Sequence, residues 1–254
     1  RPRDEDGPAT HLVKAGTPTM GGLLIVAATV VPTLLWANLG HRRIWLMLFT
    51  TLSLGALGFL DDYLHIVRHR RKGLEWQWKV AGQLLTGAAV GIVIVLVRPF
   101  GSHSVTSTSV PFLKDVVLDF GIFYVPFVAL VVTGSSNAVN LTDGLDGLAV
   151  GLVIPPAIAF GGLAYLSGNS VFANYLNLHF LPESGELAVY AAALTGAALG
   201  FLRYNFAPAR ITLGTSGALF LGFALASQAV IGGTKAATAL LVLGLPLLDA
   251  AFII

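Results

Sequence analysis

The chain has little charge and no cysteine. Only 11% of its 254 residues are charged, whereas 55% are hydrophobic. Soluble domains carry about 25% charged residues, so this composition excludes an ordinary soluble protein and indicates an integral membrane protein. The absence of cysteine leaves the cellular compartment open. It does exclude a Cys/His zinc pattern, and no HExxH motif is present either.

Other familiar signatures are also missing. Residues 1–17 are polar and charged, so no signal peptide is visible. There is neither a P-loop nor a dinucleotide-binding fingerprint, and no internal repeat or low-complexity segment. We expect no nucleic-acid partner. The net charge of +2 says little as a total, but its distribution is informative.

Apolar runs of about 20 residues, long enough to cross a bilayer, recur along the chain. They predict an all-α fold, a polytopic membrane helix bundle that forms a single domain over residues 1–254. The 29 glycines fit close helix packing, and Gly147 with Gly151 and Gly196 with Gly200 have the small-xxx-small spacing. A Ser/Thr-rich stretch at 101–109 is predicted to be an external loop. The eight predicted spans are about 18–38, 44–60, 80–97, 120–136, 147–167, 187–203, 212–231 and 236–254.

The basic residues are unevenly distributed between the two faces. Alternating the eight spans assigns ten of the 15 Lys and Arg residues to one face and five to the other. By the positive-inside rule, the richer face is cytoplasmic. Every unusual polar motif falls on that face, in segments 11–22, 61–79, 137–147 and 203–215. The sequence therefore predicts one cytoplasmic-facing polar site built from several loops.

Segment 137–147 places amides, carboxylates and glycines between two apolar spans. A charge at the centre of a span costs about 2.5–3.5 kcal/mol, so such a cluster indicates a bound polar ligand. The alternative is ordinary capping of the fifth span, by Thr142 or Asp143 at its N-cap and Asp146 in its first turn. Capping does not account for polar residues at intervals of three, which would line one face of a helix: Asn137, Asn140, Asp143 and Asp146.

Asp61 and Asp62 follow the second predicted span, which places the pair at a helix C-terminus. The helix dipole disfavours negative charge there, and adjacent carboxylates repel each other. The two costs together point to a compensating cation. A hydrated Mg²⁺, bound by one or two carboxylates and phosphate oxygens, suits such a site. The alternative is a solvated helix end neutralised by nearby arginines.

Three further features are less specific. The basic run 65–72 either attracts anionic lipid head groups or steers an anionic substrate. The glycine-rich segment 14–22 offers backbone N–H groups to a phosphate or a nucleobase, although an ordinary membrane-entry turn explains it equally well. Asp249 is a functional candidate because it lies inside a predicted span, with snorkelling to the cytoplasmic surface as the alternative.

Together these motifs resemble the polyprenyl-phosphate N-acetylhexosamine-1-phosphate transferase superfamily (glycosyltransferase family 4), and within it most closely the phospho-N-acetylmuramoyl-pentapeptide transferases. The resemblance runs the length of the chain. It implies ten transmembrane helices, of which the first and the last are absent from this sequence. It also implies a multi-pass place in the bacterial cytoplasmic membrane and a Mg²⁺-dependent cytoplasmic site. The matching segments are 7–22, 58–64, 72–73, 111–115, 137–149, 174–177 and 185–188.

The implied reaction moves phospho-MurNAc-pentapeptide from UDP-MurNAc-pentapeptide to undecaprenyl phosphate and releases UMP. By this resemblance Asp61 and Asp62 would serve the lipid phosphate and the metal, with Asp61 as the candidate base. Asn140 and Asp143 would hold the nucleotide-sugar and its phosphates, and Asp143 would share the metal with Asp62. Phosphoryl transfer needs positioning and charge neutralisation more than covalent chemistry, which fits such residues. The uracil pocket would be lined or flanked by Lys14, Thr19, Gly144, Leu145, Asp146 and Asn205.

The chain departs from the family pattern at three points. The family's Met-Gly-Asp-x-Gly-Ser motif is Leu213-Gly-Thr-Ser-Gly-Ala218 here, so Thr215 stands where the family has a metal-binding Asp, and we expect weaker metal binding. Thr212 replaces an aromatic residue that commonly stacks on uracil. His65 and His69 replace lysines, which weakens phosphate attraction at neutral pH.

Three alternatives to this transfer reaction remain open. The ending Leu245-Pro-Leu-Leu-Asp249 resembles the WecA and TagO branch, which acts on UDP-GlcNAc. Thr215 is compatible with a relative that binds nucleotide-sugar or partner proteins without turnover. The third alternative is a transporter that uses the aspartates as an ion path. A transporter would place its carboxylates near mid-membrane, often with an inverted repeat, whereas the carboxylates of this chain are predicted mostly at one interface. The resemblance also implies a possible homodimer in the lipid bilayer.

Overall fold

In a computed structural model the chain forms a bundle of helices with one small hairpin. The structure describes residues 17–68, 73–96, 106–110, 113–178 and 180–232. Short 3-10 turns at Gly121–Phe123 and Ser184–Glu186 precede the fourth and the seventh helix of the chain. The hairpin pairs β1 (Ser107–Val110) with β2 (Leu113–Asp119) in antiparallel fashion. The helices are α1 (Gly22–Trp36), α2 (Arg42–Ile66), α3 (Trp76–Leu96), α4 (Tyr124–Thr142), α5 (Leu148–Gly168), α6 (Ser170–Tyr175), α7 (Leu187–Asn205) and α8 (Gly214–Ile231).

Within the described residues, six helices are long and apolar enough to cross a membrane: α2, α3, α4, α5, α7 and α8. Helix α1 is also apolar but has 15 residues, fewer than the roughly 20 that a span needs. The protein is thus a polytopic membrane helix bundle, which confirms the predicted fold class. Seven of the eight predicted spans coincide with a helix. The eighth, 236–254, lies outside the described residues.

Helix α8 lies at the centre of the bundle. All its residues from Ser216 to Ile231 are buried, as expected of a helix that is apolar on every side. It packs against α1, α2, α4 and α5. Gly22 on α1 and Gly58 on α2 make this packing close, since a Cβ at either position would overlap the backbone of Gly217 or Ser216. The beginning of α8 is therefore fixed beside the beginning of α1 and the last turns of α2.

The small-residue pairs predicted from spacing do not make such contacts. A Cβ added at Gly151, Gly196 or Gly200 would have no described atom within 4 Å. That prediction is therefore wrong for the described part of the chain. Close approach occurs instead at positions such as Gly87 of α3. A Cβ added there would lie 2.8 Å from the Cα of Ala129 on α4.

The chain alternates between two ends of the bundle. The beginnings of α1, α3, α5 and α8 and the ends of α2, α4 and α7 lie at one end, which we call the polar end. The hairpin, α6 and the connection from α1 to α2 lie at the opposite end, where the Asn38 backbone N–H donates to the Glu186 carboxylate at 2.9 Å. The prediction of a loop at 101–109 is partly wrong, because strand β1 begins at Ser107.

Candidate active site

Asp61 and Asp62 lie in the last two turns of α2, and both are buried, at 4% and 6% exposure. The helix continues to Ile66, so the prediction that the pair ends the helix is wrong. Neighbouring residues of an α-helix point about 100° apart. The two carboxylates accordingly contact different parts of the protein, and each has its own compensating partners.

The carboxylate of Asp61 faces the beginning of α3. It accepts a hydrogen bond from the Leu74 backbone N–H at 2.7 Å and forms an ion pair with Lys79 Nζ at 2.8 Å. Gly73, just before Leu74, has a φ of +56°, and a Cβ there would lie 2.5 Å from Asp61 Oδ1. The connection to α3 can therefore wrap this carboxylate only with glycine at position 73.

The carboxylate of Asp62 faces the beginning of α8. Its two oxygens accept hydrogen bonds from the backbone N–H groups of Thr215, at 3.1 Å, and Ser216, at 2.9 Å. These donors belong to the first turn of α8, where backbone N–H groups lack partners within the helix and the dipole favours negative charge. Asp62 thus caps α8 from another helix and fixes Thr215 beside it.

Lys79 is a charged residue of this site that sequence reasoning missed. The sequence suggested a metal ion or nearby arginines as compensation for the two aspartates, whereas the structure supplies Lys79 and the helix N-terminus. A signal was available. Lys79 is a cation at the edge of an apolar span, where charge is costly and usually has a partner.

The polar segment 137–147 is partly helical. Helix α4 extends to Thr142, so Asn137 and Asn140 lie in its last turns, and half-buried Asp143 follows directly. The capping alternative for Thr142 and Asp143 is wrong, because Gly147 with a φ of +77° is the N-cap of α5 and the Thr142 hydroxyl donates to the Ala138 carbonyl. The four polar residues therefore do not share one continuous helical face.

Asp146 and Asn205 join the loop after α4 to the loop after α7. The Asp146 carboxylate accepts from the Ala209 backbone N–H at 3.1 Å. Buried Asn205 accepts from the Gly147 N–H at 3.1 Å and donates to the Ile211 carbonyl at 2.9 Å. Gly144 and Leu145, which directly precede Asp146 in sequence, are exposed. Asp146 and Asn205 therefore shape the loops that present Gly144 and Leu145.

The segment before α1 joins the same end of the bundle. The Thr212 N–H donates to the Pro18 carbonyl at 2.9 Å, and the Gly21 N–H donates to the Thr212 carbonyl at 3.1 Å, which leaves Thr19 exposed between them. All four predicted polar segments are thus linked at the polar end. His65 is exposed in the last turn of α2. Lys14, His69 and Asp249 lie outside the described residues.

The described residues contain no group of three or more His, Asp or Glu side chains placed to hold a metal ion. A Mg²⁺ site does not require one, since this ion is usually held by one or two carboxylates together with substrate phosphates. Both oxygens of Asp62 keep a lone pair beyond their single hydrogen bonds, and the Thr215 hydroxyl lies on the adjacent turn. This donor set fits an ion that arrives with a phosphate better than a tightly held resident ion.

The fold and this site define a membrane-embedded helix bundle with a polar site of carboxylates, a lysine and a helix N-terminus at one end. The chain belongs to glycosyl transferase family 4, whose family model matches residues 44–233. Residues 14–26 match signature 1 of the phospho-N-acetylmuramoyl-pentapeptide-transferases.

A relative in Thermodesulfovibrio yellowstonii, a phospho-N-acetylmuramoyl-pentapeptide-transferase, is 49% identical to the chain over 227 residues. The alignment covers 89% of this chain and 62% of that relative. The chain therefore spans less than two thirds of the relative's length.

Proposed function

We propose that the protein transfers phospho-MurNAc-pentapeptide from its UDP-linked form to undecaprenyl phosphate, in a bacterial cytoplasmic membrane and from the cytoplasmic face. An oxygen of the lipid phosphate forms a bond to the β-phosphorus of the UDP-sugar. The bond from that phosphorus to the bridging oxygen breaks, and UMP leaves with the bridging oxygen. The 49% identity to a relative named phospho-N-acetylmuramoyl-pentapeptide-transferase supports this pair of substrates.

The observation that carries the proposal is the joint placement of Asp61, Asp62, Lys79 and the N-terminus of α8. A phosphate monoester has a second pKa of about 6, so the lipid phosphate is largely ionised at neutral pH. Bringing this nucleophile to a pyrophosphate chiefly requires charge neutralisation and alignment. Lys79 supplies a positive charge for this purpose, and the positive end of the α8 dipole adds to it.

Mg²⁺ is part of this proposal. When bound, it would neutralise the pyrophosphate oxygens, and Asp62, the Thr215 hydroxyl and Asp143 are the groups that would hold it. Asp61 orients Lys79 and remains the candidate base. Asn140, Asp146 and the exposed loop residues Gly144 and Leu145 are the proposed contacts for the nucleotide-sugar.

The test is UMP release by the purified protein in detergent, with undecaprenyl phosphate, Mg²⁺ and either UDP-MurNAc-pentapeptide or UDP-GlcNAc. We expect turnover with the first sugar. Turnover with UDP-GlcNAc alone would assign the chain to GlcNAc-1-phosphate transfer instead. No release with either sugar, from this chain or from Thr215→Asp, would contradict the proposal.

A second candidate is a relative that binds the nucleotide-sugar without turnover. Thr215, a neutral hydroxyl at the position where the family has a metal-binding Asp, favours it. It predicts that UDP-MurNAc-pentapeptide binds in an equilibrium assay while UMP release stays at background. Activity gained only in Thr215→Asp would support this candidate.

A further inference from the structure

A hydrogen-bonded relay of side chains crosses the bundle beneath the polar end. Gln83 on α3 and Ser136 on α4 are fully buried, and Asn137 on α4 is half-buried. The Ser136 hydroxyl donates to the Leu219 carbonyl of α8 at 2.9 Å, and Gln83 Nε2 donates to Ser136 Oγ at 3.3 Å. Asn137 Nδ2 donates to Gln83 Oε1 at 2.8 Å and to the Thr133 carbonyl at 2.9 Å. The relay thus joins three helices.

The direction of every hydrogen bond in this relay is fixed by its two ends. The carbonyls of Leu219 and Thr133 can only accept. Ser136 must therefore donate to Leu219, which leaves its oxygen to accept from the Gln83 amide nitrogen. A reversed Asn137 amide would place its oxygen against the Thr133 carbonyl, an acceptor facing an acceptor. Both amides consequently have one chemically consistent orientation.

This orientation uses the Asn137 amide nitrogen inside the bundle and leaves its Oδ1 as the remaining acceptor. In the described part of the chain no group donates to Asn137 Oδ1. An acceptor without a partner in a membrane interior is costly, so a half-buried amide oxygen there is expected to meet water or a polar ligand.

The relay also lies directly beneath the candidate site. Lys79 and Gln83 are four residues apart on α3 and share a face, so the face that meets Asp61 also meets Asn137. Asn137 is five residues from the end of α4, a rise of about 7.5 Å. Asn140 lies three residues further along, on the same side of the helix.

We infer that Gln83, held by Ser136, is a positioning residue that orients Asn137 so that its Oδ1 accepts a hydrogen bond from an N–H or O–H group of the nucleotide-sugar. This inference rests on the proposed function for its substrate. Gln83 itself is fully buried and contacts no ligand; it acts through Asn137.

The experiment compares Gln83→Met, which keeps length and removes both polar atoms, with Ser136→Ala, a smaller change that breaks the same relay. Thr86→Val is the matched control, because Thr86 lies on α3 near Gln83 and its hydroxyl bonds only the Gly82 carbonyl of its own helix. We expect Gln83→Met to raise the KM for the UDP-sugar about tenfold, the effect of losing one well-placed hydrogen bond. The KM for undecaprenyl phosphate should stay unchanged, since a merely structural defect would alter both.

A second readout does not need turnover. In protein labelled with ¹⁵N-asparagine, the Asn137 side-chain amide is identified by the resonance lost in Asn137→Asp. Its exchange with solvent should accelerate about tenfold in Gln83→Met and in Ser136→Ala, and not in Thr86→Val. An unchanged exchange rate in both relay variants would overturn the inference, as would equal effects on the two KM values. If the unmodified chain releases no UMP, the proposed function fails and amide exchange alone decides about Gln83.

Discussion

Two adjacent carboxylates, Asp61 and Asp62, are accommodated in a largely buried setting because each has a separate set of donors. Asp61 has Lys79 and one backbone N–H, and Asp62 has two backbone N–H groups of α8. Removing one member of a buried ion pair usually costs more than the pair itself contributes, because the remaining charge loses its compensation. Lys79 is therefore expected to matter for stability as well as for phosphate binding.

We expect Lys79→Met to lower the free energy of unfolding in detergent by about 2–4 kcal/mol, slightly less than a fully buried pair because the lysine is partly exposed. Arg68→Met removes the same charge from an exposed position at the end of α2 and should change stability by less than about 0.5 kcal/mol.

Adding Asp61→Asn to Lys79→Met should recover part of the loss, about 1–2 kcal/mol in a double-mutant cycle, because the uncompensated charge disappears. Strict additivity of the two single variants would show that the ion pair seen between Lys79 Nζ and Asp61 contributes nothing to folding.

At the scale of elements, the site depends on how closely the beginning of α8 approaches the end of α2. Gly214 permits this approach. It has a φ of +77°, and a Cβ there would lie 2.8 Å from Asp62 Oδ2 and 3.3 Å from the Met20 backbone nitrogen. A side chain at this position would have to displace the carboxylate that caps α8 or the segment that enters α1.

We therefore expect Gly214→Ala to lower stability by about 1–2 kcal/mol from its left-handed backbone alone, with a further cost from the displaced carboxylate. Gly196→Ala is the control, because Gly196 lies mid-helix in α7 and no atom of the described residues would lie within 4 Å of an added Cβ. This change should be neutral or stabilising by up to about 1 kcal/mol. Thermal unfolding of both variants in the same detergent measures the difference. Similar melting temperatures would contradict the role given to Gly214.

The sequence predicted the elements better than it predicted their ends. Long apolar runs located the spans, because any helix in lipid must be apolar over a length set by the bilayer. The ends of α2 and α4 extended six residues beyond prediction, through Asp61–Ile66 and through 137–142, because packing inside the protein supplied partners for polar residues that composition alone assigns to loops.

The candidate site was predicted in part for the same reason. Asp61, Asp62 and the polar loops were identified from their residue types, since charge beside an apolar span is unusual. The partner of Lys79 and the role of Gln83 could not be predicted, because they depend on the rotation of α3 relative to α2 and α4, which periodicity in a uniformly apolar helix does not fix. The same limit explains the glycine pairs on α5 and α7, whose spacing predicts a packing face but not which neighbour meets it.

For the whole molecule, the arrangement of charge implies an orientation in the membrane. Alternation of the predicted spans assigns ten of the 15 Lys and Arg residues to the face that holds the polar motifs. The proposed nucleotide-sugar substrate is made in the cytoplasm, so both arguments lead us to propose that the polar end faces the cytoplasm. Because the chain has no cysteine, a single introduced thiol reports on one position only. Arg68 is exposed at the polar end and Ser170 is exposed at the opposite end, at the beginning of α6.

We expect a membrane-impermeant maleimide to label Arg68→Cys in inverted membrane vesicles and not in intact spheroplasts, and to label Ser170→Cys in spheroplasts. Detergent-solubilised samples of both variants should be labelled fully, which controls for burial of the thiol. The reverse pattern would place the Asp61–Lys79 site on the side that lacks the nucleotide-sugar. The transfer reaction would then be contradicted by topology alone, since a highly charged UDP-sugar does not cross the hydrocarbon unaided.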